Sequence, residues 1–128
     1  MDFSFSKDEK LKSKKVIDSL FSNGKSVAKY PLRLVYIEAT EKQTVPLKMG
    51  VSVSKKHFKH AVDRNYFKRV LRECYRLNKN LLIPNLNKKY SAMFFYQTSD
   101  RLSYQEINDK TVQLFAKFIA TENENKNN

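Results

Sequence analysis

The sequence predicts a single α+β domain, built in the order helix, three strands, helix, strand, helix. Three observations carry that reading. Apolar residues recur at helical spacing in three stretches, they alternate or run on in strand-length stretches between these, and 128 residues leave room for one modest core. A hydrophobic fraction of 41%, with nine Phe and seven Tyr, is enough to fill it, and two Gly with three Pro argue against a loop-dominated chain.

The domain is expected over residues 1–120. Residues 1–12 read as a flexible basic arm with Phe3, Phe5 and Leu11 as its only apolar anchors, and residues 121–128, TENENKNN, as a disordered tail. Ser13 can cap a short helix that ends at Gly24, because Val16, Ile17, Leu20 and Phe21 recur at i, i+3, i+4 spacing and read as core. Ser26 to Tyr30 is a short strand stopped by Pro31. Leu32 to Ala39 alternates Leu32, Leu34 and Tyr36 against Arg33, Val35 and Ile37, a strand whose second face is also partly covered. The polar loop Glu41 to Lys48 is short enough for an antiparallel hairpin into the next strand, Met49 to Ser54. A long helix is expected from near Phe58, followed by a loop over Asn78 to Lys89 with Pro84 and repeated Asn. Tyr90 to Gln97 is apolar on both faces and reads as an interior strand. Ser103 and Glu106 form a capping box that opens a last helix to about Ala120, with Ile107, Leu114, Phe115, Phe118 and Ile119 inward.

The long helix has two incompatible faces. At about 100° per residue, Val62, Tyr66, Phe67, Val70, Leu71, Cys74 and Leu77 share one half of the wheel. The other half carries Arg64, Asn65, Lys68, Arg69, Arg72, Arg76 and Lys79, with no acid among them. Arg64 with Lys68, Lys68 with Arg72, and Arg72 with Arg76 are like-charge i,i+4 pairs, which oppose helix formation unless a polyanion relieves them. Guanidinium forks suit phosphate oxygens. Residues 55–79 hold nine Lys or Arg against two acids, a surplus of seven within a net charge of +12, so the charge is concentrated as on a binding surface. Of the two acids, Asp63 lies in the first turn, where the helix dipole favours it, and Glu73 borders the apolar stripe.

Other chemistries find little support. One cysteine excludes an intramolecular disulfide and a cysteine-based zinc site, and Cys74 reads as a small buried thiol. His57 and His60 stand among lysines with no further ligand, so phosphate contact or simple exposure is the better reading. No phosphate-binding loop, dinucleotide fingerprint, zinc-protease or nucleophile-elbow motif occurs, and the acids are scattered rather than paired. The first 15 residues lack an apolar run of signal-peptide length and no stretch approaches the ~20 apolar residues of a membrane span, so a cytoplasmic protein without membrane contact is expected. An RNA or DNA binder that is not a self-sufficient catalyst is the reading left. Its aromatic residues are core material first, with Phe21, Tyr36 and Phe118 as the alternative candidates for a groove where unpaired bases stack.

The run GVSVSKK, Gly50 to Lys56, followed by AVDRNYFKRVLRE, Ala61 to Glu73, closely resembles the signature of the protein subunit of bacterial ribonuclease P. The fixed positions are met by Gly50, Val53, Ser54, Lys55, Lys56, Ala61, Val62, Arg64, Asn65, Lys68, Arg69, Arg72 and Glu73. The likeness extends over nearly the whole chain, weakening in the loop at Glu41 to Pro46 and in the tail. Two positions depart from it: Ile17 stands where the family often has Phe, and His57-Phe58-Lys59-His60 fills a turn where the family tends to have a small residue.

The resemblance implies an αβββαβα fold with a mixed four-stranded sheet and a left-handed βαβ crossover, like the second domain of a small-subunit ribosomal protein; sequence physics alone favours the right-handed form. It implies the accessory subunit of an enzyme that removes the 5′ leader of precursor tRNA, with Mg²⁺ held mainly by the catalytic RNA, none held tightly by the protein, and no obligate protein partner. It implies that Lys55, Lys56, Arg64, Asn65, Lys68, Arg69, Arg72 and Arg76 contact the catalytic RNA, and that Ile17, Phe21, Tyr36 and Phe118 line a leader groove between sheet and first helix. The alternative from another class is a structural RNA-binding protein, ribosomal in style, with no role in cleavage.

A face this cationic releases many condensed counterions on binding, so RNA affinity is expected to fall steeply with salt. Replacing Arg72 by Ala should reduce the slope of log affinity against log salt by about one phosphate contact. An unchanged slope in a salt titration would place Arg72 outside the phosphate interface.

Overall fold

Each predicted element forms, with shifted boundaries. The computed structural model describes residues 5–39 and 43–126, with side chains through Asn123. In chain order the elements are α1 (Lys14–Asn23), β1 (Lys25–Lys29), β2 (Leu32–Glu38), β3 (Leu47–Val53), α2 (Ala61–Leu82), β4 (Tyr90–Tyr96) and α3 (Tyr104–Lys126). The Ser13 hydroxyl accepts from the Val16 amide at the start of α1, and the Ser103–Glu106 capping box closes in both directions at the start of α3. Phe3 and residues 41–42 of the polar loop lie outside the described residues.

The expected β2–β3 hairpin is not what forms. The strand order is β1-β2-β4-β3, with β1, β2 and β4 antiparallel and β3 parallel to β4. β4 is covered on both faces, and the hairpin would have left this most apolar strand at an edge. Inserting it between β2 and β3 pairs both of its edges, and α2 becomes the crossover of a parallel β3–α2–β4 unit.

Register divides the sheet into two faces. Leu34, Met49 and Phe94, among others, pack against Phe67 and Leu71 of α2 and Phe115 and Phe118 of α3 in the main core. The opposite face is thinner. There Met93 meets Leu20 of α1 and Leu11, with Val35, Ile37, Phe95, Val16 and Ile17 half-buried around them. Gly24 makes the α1–sheet approach possible, since a Cβ there would stand 2.3 Å from the Leu20 carbonyl oxygen and 2.8 Å from Val35 Cγ1.

Three boundaries are corrected by the partners of specific side chains. α2 starts at Ala61 rather than near Phe58, because Phe58 is a core plug whose ring stacks on Phe67 at 4.7 Å. α2 also continues through Asn78, placed above in a loop. The Asn78 amide donates to the Cys74 carbonyl and to Asn108 Oδ1, both at 2.7 Å, which satisfies it in a buried position. α3 runs to Lys126, past the expected end at Ala120, and Glu122 accepts hydrogen bonds from the hydroxyls of Tyr36 and Tyr90 at 2.7 Å each.

Residues 5–12 of the expected flexible arm are docked. Leu11 is buried, Phe5 meets Tyr75 edge-on at 5.1 Å, and Glu9, in a 3₁₀ turn, pairs with Lys79 at 2.8 Å. Lys79, assigned above to the basic face, is only 4% exposed. By covering the Tyr75 and Lys79 flank, the arm rotates the buried arc of α2, and Val62, Tyr66 and Leu77 of the expected apolar stripe are exposed instead.

Burial pushes the Glu9 carboxyl up, but hydrogen bonds from Lys79 and Ser6 with the Lys79 charge outweigh it and hold the group below its ordinary 4.5. A lowered folded value means that the contribution is present above the unfolded value and is lost as pH falls through the folded one. Glu9→Gln is therefore expected to reduce stability at neutral pH by about 1.5–3 kcal/mol, the worth of a hydrogen bond to a charged group. Urea titrations should show the wild type and this variant converging as pH falls below the ordinary carboxylate range.

Candidate nucleic-acid interface

The basic surface begins where β3 ends. Ser54 accepts from the amides of His57 and Phe58, closing a turn that points Lys55 and Lys56 into solvent. Phe58 fixes the turn from beneath, stacked in series on Phe67, which stacks on Tyr96 at 4.7 Å. Arg64 fixes it from the side, donating through Nη1 to the carbonyls of Phe58 and Lys59 at 2.9 Å each. Arg64 thereby holds the segment carrying the lysines and still adds its own charge to the surface.

Along α2 the outer arc holds exposed Asn65, Arg69 and Arg72 and half-buried Lys68 and Arg76. With Lys55, Lys56 and Arg64, this brings all eight predicted RNA-contact residues onto one turn and the helix that follows it. Arg76 is engaged: its Nε and Nη2 meet the Glu73 carboxylate at 2.7 and 3.1 Å. The Arg76 hydrogen bond pulls the Glu73 carboxyl below its usual range, and that same bond raises Arg76. At the N-terminal end, Arg101 pairs with Asp63 at 2.9 Å and lies over the Phe67 ring at 5.4 Å.

The four predicted groove residues do not come together. Tyr36, 1% exposed, and Phe118, 0% exposed, face the main core and touch each other at 4.4 Å between ring centroids. Burial, then the Glu122 carboxylate, pushes the Tyr36 hydroxyl well above its ordinary range. Ile17 and Phe21 lie on the opposite side of the sheet. Strand residues alternate faces, so the positions that accompany α1 are Arg33, Val35 and Ile37 of β2 and Met93 and Phe95 of β4. Phe21, 65% exposed, stands edge-on to half-buried Phe95 at 6.1 Å. This pair is a shelf open to solvent.

Phe95 and Arg33 escaped the sequence reading because β4 read as interior on both faces and the Tyr36 parity of β2 was followed. The available signal was the second parity of β2, in which one arginine, Arg33, precedes two β-branched residues, Val35 and Ile37. Phe95 is paired in register with both Arg33 and Ser52, and Ser52 precedes the Lys55–Lys56 turn by a few residues. The shelf and the basic turn thus meet at one end of the sheet.

Cys74 is buried, and burial pushes its thiol up to about 11, which suits packing rather than nucleophilic attack. Half-buried His57 and exposed His60 flank the turn. Among the described residues no three His, Cys, Asp or Glu side chains come together as a metal site, and no helix is long and apolar enough to cross a membrane.

Comparison with known proteins gives one answer. The family model described as Ribonuclease P matches residues 5–119. A ribonuclease P protein component from Porphyromonas gingivalis is 43% identical over 102 residues, covering 78% of this chain and 74% of its own length. One from Clostridium botulinum is 34% identical over 113 residues, covering 87% and 95%. In fold, the chain is similar to the Staphylococcus aureus ribonuclease P protein, with a TM-score of 0.69, 20% identity and coverage of 84% and 93%. The Thermotoga maritima protein gives a TM-score of 0.69 at 20% identity, covering 85% and 96%.

The placements of Phe118 and Phe21 predict stability losses of different size. Phe118→Ala should cost about 3–5 kcal/mol in urea denaturation, as for a buried aromatic. Phe21→Ala should cost only about 0.5–1.5 kcal/mol, the worth of an aromatic pair. Equal losses would show that Phe21 is a core residue.

Proposed function

This chain belongs to the ribonuclease P protein family, and from that premise we propose a division of labour between its two surfaces. It is the accessory protein component of the tRNA 5′-maturation enzyme and associates with the ribonuclease P RNA. The finer assignment is that Lys55, Lys56 and the outer arc of α2, from Arg64 to Arg76, hold the catalytic RNA through its phosphates, while the shelf beside α1 seats the single-stranded 5′ leader of precursor tRNA. Ile17 and Phe21 remain in that groove; Phe95 takes the place first given to Tyr36 and Phe118.

One observation carries this reading: exposed Phe21 on half-buried Phe95 and a fixed basic turn adjoin at the same end of the sheet. An unpaired base can stack on the aromatics while its phosphates run toward the cations. Mature tRNA lacks the 5′ leader. The Mg²⁺ ions of cleavage are assigned to the RNA subunit, the protein supplying charge neutralisation and substrate positioning. The complex works in the cytoplasm and needs no other protein.

Reconstitution tests this against a purely structural RNA-binding role. The chain added to ribonuclease P RNA at low Mg²⁺ should restore cleavage of precursor tRNA, whereas the chain alone should cleave nothing. Phe21→Ala should then weaken precursor binding by about 1–3 kcal/mol and leave mature tRNA unaffected. Binding of the RNA without restored cleavage would favour the structural role. Equal effects on precursor and mature tRNA would remove the leader from this groove.

A further inference from the structure

We infer that Arg33 is a specificity-determining residue that reads a guanine of the bound leader beside the Phe21–Phe95 shelf. The inference rests on the leader reading above and adds a base preference to it. Arg33 is half-buried on the α1 side of the sheet, in register with Phe95, whose ring Phe21 touches. Its neighbours across the strands in that row are Ala28 of β1 and Phe95 of β4, with Ser52 of β3 beyond Phe95. Ala28 and Ser52 are small. The guanidinium therefore lies on the floor of a shallow groove, at the level of a stacked base's edge, while Lys55 and Lys56 stand where phosphates would run.

The fork is also held. Arg33 Nε donates to Gln97 Oε1 at 3.2 Å, and Nη1 donates to the Ser26 hydroxyl. Two of its five N–H groups are used in this way. The second Nη1 hydrogen and both Nη2 hydrogens are left, so that one N–H on each terminal nitrogen forms a pre-set pair of parallel donors. A ligand edge facing them must offer two adjacent acceptors, which guanine does with O6 and N7. Unpaired cytosine does so with N3 and O2, but its single ring covers less of the aromatic shelf than a purine, which favours guanine. Adenine sets an amino donor beside N7 and opposes the fork, while uracil interrupts its carbonyls with N3–H. Gln97 is a positioning residue in this scheme: it aims the fork without touching the base.

The test uses the reconstituted holoenzyme and a set of precursors with A, C, G or U at each successive leader position. Wild type should prefer guanine at one position by about fivefold to 150-fold, the discrimination typical of a bidentate arginine–guanine pair. Arg33→Lys keeps the charge but not the fork, and should abolish the preference while retaining the salt slope and the melting temperature. Gln97→Ala should reduce the preference without changing the net charge. A preference for another base, or one that survives Arg33→Lys, would overturn the inference. So would an equal loss for all four bases with a shallower salt slope, which marks a phosphate contact. Phe21→Ala separates this from failure of the leader reading: if it weakens precursor alone while Arg33→Lys leaves base preference unchanged, the groove stands and only the role of Arg33 falls.

Discussion

Strand β4, none of whose residues from Tyr90 to Tyr96 is exposed, requires cover on both faces and a partner at each edge. Much of the architecture follows from meeting that requirement. β2 and β3 take the two edges, one antiparallel and one parallel, which obliges α2 to cross from the end of β3 back to the start of β4. Two long helices cover one face completely. The other receives only α1 and Leu11, enough to bury Met93 but not Phe95, and the surface left uncovered is the shelf.

The charged helix is compatible with a folded domain because its cations differ in what they do. Lys79 is buried against Glu9, Arg76 is neutralised by Glu73, and Arg64 spends donors on the carbonyls of the preceding turn. Exposed Arg69 and Arg72 lie on the outer arc beside half-buried Lys68, where repulsion is screened by water and salt. Part of the like-charge cost expected of this face is thus offset internally, and the rest is available to a polyanion.

Element types and the interior position of β4 were legible in the sequence, since periodicity and capping boxes are local. Pairing was not. Loop length made a β2–β3 hairpin natural, and only the two-sided burial of β4 argued against it. Lys79 read as a surface cation because nothing local to α2 shows a carboxylate 70 residues away. The clustering of the basic residues was legible, because their positions fall within one turn and one helix. The shelf beside α1 was legible only in part: Phe21 lies on α1 and on that side of the sheet, whereas Tyr36 and Val35 are neighbours on opposite faces, and choosing between them requires knowing which helix covers which side.

Gly50 stands in the same signature run as Lys55 and Lys56 yet presents no group to an RNA. A Cβ there would come within 3.0 Å of the Met93 thioether and 3.6 Å of Leu11 Cβ, on the face that α1 covers. The signature therefore records two separate requirements in one stretch of chain, the polarity of a contact surface and the thickness of the layer behind it. A relative that kept every cation but carried a side chain at this position would have to move Met93 by a few tenths of an ångström, and with it the floor on which Phe95 and Arg33 sit. On the proposed leader reading, base preference then drifts among family members through residues that never meet the leader.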